Sequence, residues 1–212
     1  MPIQRSQVNE LLYQALETEQ GGIKIYETAI QCAVNEDLRE EWQEYLDETR
    51  EHERILRKAF DKLGLDPEVQ SPGRQVVRHI GESLVMAMTM AMQDGGKEAA
   101  QLVAGECVVN AETKDHMNWE LIGQVGRQLD GSEGEALKAA YDQVEDQEDQ
   151  HLYHTKGWTR ELWIASLGMP AVLPPPEEVR KVETAVGAAK AEASREQMLG
   201  KRDAQLPGTR GK

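Results

Sequence analysis

Aromatic side chains are scarce. Phe, Tyr and Trp make 5% of the 212 residues, and Phe occurs once. Strand-forming runs of Val, Ile and Thr are also scarce, so the chain has little material for a β-sheet. Cysteine is limited to Cys32 and Cys107 with no CxxC pair, which argues against a disulfide framework and makes a reducing compartment the default. Basic residues are outnumbered, 24 against 38 acidic, for a net charge of −14. Such a surface repels phosphates and disfavours a nucleic-acid partner. The longest apolar run, LVMAMTMAM (84–92), is too short to span a bilayer, and the start, MPIQRSQVNELL, lacks the apolar core of a signal peptide. The expectation is a cytoplasmic protein with neither nucleic acid nor membrane as partner.

What is present favours helix: Glu, Ala, Leu, Gln and Lys dominate. Five helical segments are expected. The first runs over 6–34. Asn35 caps a second that ends at Gly64. A shorter third covers 74–93, its Met86, Met88, Met90 and Met92 read as pliable filling of a buried helix. The fourth spans 97–129, and Ser132 with Glu135 forms a capping box for a fifth that runs to Gly168. Beyond it a Pro-rich linker over 169–178, a short amphipathic helix over 177–199 and a disordered end over 200–212 are expected. Residues 1–168 read as one domain and 169–212 as a tail, which could dock on a protein partner. From residue 174 onward eight Lys/Arg meet six Asp/Glu, a net of +2, so residues 1–173 carry −16. Two helical hairpins joined by a crossover segment describe an all-α four-helix bundle with a long connection.

Each of the four long helices has its apolar seam interrupted by Glu, His or both. In the first it reads Leu12, Leu16, Glu19, Ile23, Tyr26, Ile30. The second reads Leu38, Trp42, Tyr45, Thr49, His52, Leu56, with Glu48 at its margin. The fourth reads Leu102, Gly105, Val109, Glu112, His116, Trp119, Ile122, and the fifth Leu137, Tyr141, Val144, Glu148, His151, Thr155, Trp158. Heights agree as well. Counting from residue 36, Glu19 lies 17 residues before the turn and His52 16 after it. Counting from Gly131, Glu112 lies 19 before, with Glu148 and His151 17 and 20 after. At about 1.5 Å per residue these groups share one layer roughly 25–30 Å from their turns. Glu106 falls too far along and is rejected. Buried carboxylates need protons, water or cations. A pair of metal ions would neutralise them and use neutral imidazoles as ligands. A lone ExxH such as EDQH (148–151) is weak by itself; the shared height carries the reading.

In this layout the chain resembles the ferritin-like superfamily of di-iron carboxylate proteins, which includes bacterioferritins, rubrerythrins and manganese catalases, over residues 6–168. That pattern takes one Glu from each of two helices and a Glu-x-x-His from each of the others. The resemblance implies an antiparallel four-helix bundle with a crossover helix, a homo-oligomer, and two metal ions, iron or alternatively manganese. Glu19, Glu112, Glu148, His151 and His52 match the ligand positions, with Tyr26 and Trp119 as aromatic neighbours. Thr49 stands where the pattern has Glu, so Glu48 is the substitute helix-two carboxylate. His116 is an extra ligand or a hydrogen-bonding neighbour. The implied activity is an oxidoreductase acting with O2 or peroxide, most simply in Fe(II) oxidation and iron handling. The alternatives are peroxide disproportionation by a di-manganese version and a metal-free helical interaction protein. Gly21-Gly22 reads either as backbone approach beside the site or as tight helix packing.

Overall fold

Asn35 accepts a hydrogen bond from Leu38 N at 3.1 Å and so opens a helix whose first turn carries Glu36 and Asp37. The left-handed Gly64 (φ 65°) closes that helix. Such local signals recur along the computed structural model, which describes residues 3–175. Five helices follow in order: α1 Arg5–Cys32, α2 Glu36–Leu63, α3 Pro72–Asp94, α4 Lys97–Gln128 and α5 Ser132–Ser166. No strand occurs among the described residues, and none of their helices is long and apolar enough to cross a membrane. The expected helix over 177–199 and the polar end lie outside the described residues.

α2 folds back along α1, with Gln20 donating to Glu53 at 3.0 Å and Arg50 paired with Glu27 at 3.0 Å. The turn between them is held from outside: the Val34 and Asn35 amides both donate to Gln101 Oε1 of α4, each at 2.7 Å. α5 folds back along α4 in the same way, His116 meeting Asp149 and Trp163 meeting Glu106. The expected capping box at Ser132 does not form. Gly131 (φ 77°) occupies the cap position without a side-chain bond, and Ser132 is already helical. The chain after α5 stays attached through Val172 N, which donates to Glu161 Oε2 at 3.0 Å.

α3 departs from the expected buried helix. Only Arg74 and Met88 are buried in it, while Met86 and Met90 are 63% and 57% exposed. The cause is periodicity: residues two apart on a helix lie about 200° apart around its axis, so burying Met88 turns both neighbours outward. Arg74 anchors α3 to α1. Its Nε donates to Glu17 at 2.7 Å, and the same carboxylate accepts from Arg78 Nε at 2.6 Å. Gly21 and Gly81 face each other across these two helices without crowding: a Cβ at Gly81 would sit 3.8 Å from the Gly21 Cα, and one at Gly21 would meet nothing within 4 Å. Gly22 is the tighter of the Gly21-Gly22 pair: a Cβ there would sit 3.3 Å from the Thr49 methyl of α2, so close helix packing applies to Gly22 and not to Gly21.

The interior divides into two apolar clusters. One gathers Tyr26, Trp42, Tyr45, Val108 and Trp158; the other gathers Leu16, Leu56, Trp119, Ile122 and Val144. On every long helix buried polar side chains lie between the two clusters.

Candidate metal centre

Six buried side chains fill this gap: Glu19 from α1, His52 from α2, Glu112 and Asp115 from α4, and Glu148 and His151 from α5, none more than 4% exposed. Asp115 was missed in the sequence. The α4 seam in fact runs Gly105, Val108, Glu112, Asp115, Trp119, Ile122, which places Asp115 three residues after Glu112, the same spacing as Glu148 and His151. His116 is rotated about 100° away. It lies toward the outer edge of the α4–α5 contact with its Nε2 at 2.6 Å from Asp149, and that hydrogen bond raises its pKa. The set therefore keeps four carboxyls and two imidazoles, with Asp115 where a helix-two carboxylate was expected.

Glu48, expected among the ligands, sits behind the imidazoles. Its Oε1 accepts from Gln147 Nε2 at 2.6 Å, and its Oε2 lies 2.8 Å from His151 Nε2. Because the Gln147 amide must donate to that carboxylate, its Oε1 faces His52 Nε2, 2.9 Å away, and accepts from it. The Glu48–Gln147 pair thus fixes both tautomers: each ring carries its proton on Nε2 and turns the Nδ1 lone pair inward. These two hydrogen bonds hold Glu48 below the usual carboxylate range against its partial burial. The rings stack with centroids 5.5 Å apart. Thr49 contributes nothing to the layer, since its hydroxyl donates to the Tyr45 carbonyl at 2.7 Å.

The inward atoms oppose one another. His52 Nδ1 lies 2.8 Å from Glu148 Oε1 without hydrogen-bond geometry. His151 Nδ1 lies 3.8 Å from Glu112 Oε2 and 4.0 Å from Glu148 Oε1. Glu19 Oε1 accepts from Trp119 Nε1 at 2.7 Å, but Glu19 Oε2, Glu112 Oε2, Asp115 Oδ1, Glu148 Oε2 and both Nδ1 atoms are buried without a hydrogen-bond partner. Two groups have ligand atoms all within 4.8 Å of one another, His52–Glu148–His151 and Glu19–Asp115–Glu148, with Glu148 common to both. Burial first, and then the Glu148 charge, pushes the Glu112 carboxyl up to about 8. Burial, followed by the Glu48 charge, does the same for Glu148. Glu19 and Asp115 are also raised, by burial and by their acidic neighbours, and burial drives His151 down to about 4. Without a cation the site is a pocket of protonated carboxyls and neutral imidazole. The donor set suits divalent ions, which would displace those protons and engage the unpartnered oxygens and Nδ1 atoms of the two groups.

Tyr26 is fully buried beside Glu112, and its hydroxyl is pushed up by burial and by that carboxylate. A further polar group lies beyond Tyr45, whose ring packs 4.3 Å from that of His151. The Tyr45 hydroxyl donates to Glu41 at 2.7 Å and lies 2.9 Å from His154 Nδ1; Trp158 Nε1 donates to the same Glu41 at 2.7 Å. Neither Glu41 nor His154 stood out in the sequence, because both flank the seam rather than interrupt it. No protein-family model matches the chain, and neither a curated protein nor a solved structure matches it.

Proposed function

We propose that α1, α2, α4 and α5 form a ferritin-like antiparallel bundle crossed by α3, and that its polar layer holds two metal ions. On this reading the protein is a di-metal carboxylate oxidoreductase, most simply one that oxidises Fe(II) with O2 or peroxide. The observation that carries it is the buried set of four carboxyls and two inward Nδ1 lone pairs, with which no Lys or Arg among the described residues forms an ion pair. Such a set is costly unless cations occupy it. Bound there, a pair of redox-active ions would supply one-electron steps and activate oxygen or peroxide. The chain's own work is to position and insulate. Glu48 and Gln147 aim the imidazoles, Trp119 holds Glu19, and the two apolar clusters exclude bulk water on either side. The four inward carboxyls give up their protons as ions enter. Peroxide disproportionation at manganese is the second reading, favoured by the all-oxygen group Glu19, Asp115 and Glu148.

Anaerobic Fe(II) loading followed by metal analysis tests the proposal. About two ions per chain are expected in the native protein, with a marked loss in Glu148→Ala, which removes the shared carboxylate. An optical charge-transfer band on exposure to oxygen would identify iron redox chemistry. A native chain that retains less than about one ion refutes the metal reading and leaves a helical interaction protein.

A further inference from the structure

The two ligand groups differ in chemistry, and this bears on which ions they take. This inference rests on the di-metal reading. One pole offers His52 Nδ1, His151 Nδ1 and Glu148 Oε1, with Glu112 Oε2 at 3.8 Å from His151 Nδ1. The other offers Glu19, Asp115 and Glu148 without a nitrogen atom. Both imidazoles are committed to the first pole by hydrogen bonds behind them. The Glu48–Gln147 bridge ties His52 and His151 to a single clamp, so neither ring turns without breaking it. At the oxygen pole, Glu19 is held from behind by Trp119 and keeps Oε2 free, while Asp115 keeps Oδ1 free. The helix-two position that would have brought a carboxylate beside His52 is Thr49, bonded to its own backbone.

We infer that the layer is a mixed-metal site. The His52–His151 pole takes an imidazole-preferring divalent ion such as Zn2+ or Fe2+, and the Glu19–Asp115 pole takes an oxygen-preferring ion such as Mn2+. Glu148 is shared between them. Imidazole suits zinc and iron, whereas carboxylate sets suit manganese and magnesium, so one chain presents two sites of opposite preference. Asp115 is the residue that makes the second pole complete.

The test uses the full chain, stripped of metal and then given equal amounts of Zn2+ and Mn2+. Native mass spectrometry should show one ion of each kind as the main species. Pulsed electron paramagnetic resonance of the bound Mn2+ should show no modulation from a directly coordinated imidazole nitrogen. Asp115→Asn should lose Mn2+ by at least about tenfold in affinity while keeping Zn2+, and His52→Ala should do the reverse. Nitrogen modulation on Mn2+, or a random mixture of Zn2, Mn2 and ZnMn chains, overturns the partition while leaving the di-metal reading intact. Failure to bind either ion overturns that underlying reading instead. Where Asp115→Asn does not fold, the resonance measurement on the native chain still decides.

Discussion

The stability of the metal-free protein should fall steeply as the pH rises from 6.5 to 8. Glu112 and Glu148, both raised to about 8 in the folded chain against 4.5 as ordinary carboxyls, carry the effect. In that window the unfolded chain has already lost both protons and the folded chain still holds them. A folded-state pKa above the unfolded one contributes stability that is full below about 4.5 and is lost as the pH passes through about 8. Each group loses up to about 1.4 kcal/mol per pH unit, which integrates to roughly 1.6 kcal/mol per group, or about 3 kcal/mol for the pair, between pH 6.5 and 8. Glu19 and Asp115, raised in the same direction, add to the slope. His151, lowered to about 4, acts with the opposite sign mainly below its unfolded value of 6.5 and offsets only about 0.4 kcal/mol at the lower edge of the window. For a chain of this size the change corresponds to a fall in Tm of about 10 °C. Scanning calorimetry of the metal-stripped protein across that range measures it. Glu112→Gln should flatten the slope by up to about half, and saturating divalent ion should abolish it, because the bound state is already deprotonated. A metal-free Tm that is level or rises over the window would refute the account of a buried, cation-free carboxyl layer.

Two further outcomes test the surroundings. Glu48→Gln leaves the inward ligands in place but weakens the clamp on both imidazoles, so metal affinity should fall by about 10- to 100-fold in titration calorimetry with the number of sites unchanged. Helix packing gives a contrasting glycine pair. Gly21→Ala has open space for its Cβ and should raise stability by about 0.5–1 kcal/mol. Gly126→Ala would drive its Cβ to 2.6 Å from the Lys138 backbone nitrogen and should cost about 1–3 kcal/mol, both read from urea denaturation midpoints.

The sequence by itself determined the five helices, their turns and the height at which their apolar seams break. Helix rise is fixed, and Asn35 and Gly131 mark the two turns from which heights are counted. Glu19, His52, Glu112, Glu148 and His151 were therefore legible as one buried layer, and all five are buried between the two apolar clusters. Only the tertiary structure decided what depends on the rotation of a helix about its own axis. Neighbouring positions differ by about 100°, and packing against the other helices selects between them. That choice put Asp115 inside and His116 at the edge, turned Met86 and Met90 outward, and left Thr49 against Gly22 with its hydroxyl on its own backbone. It also placed Glu48, expected as a ligand, behind the two imidazoles. Spacing along one helix cannot reveal that Gln147, on another, would join it to both histidines.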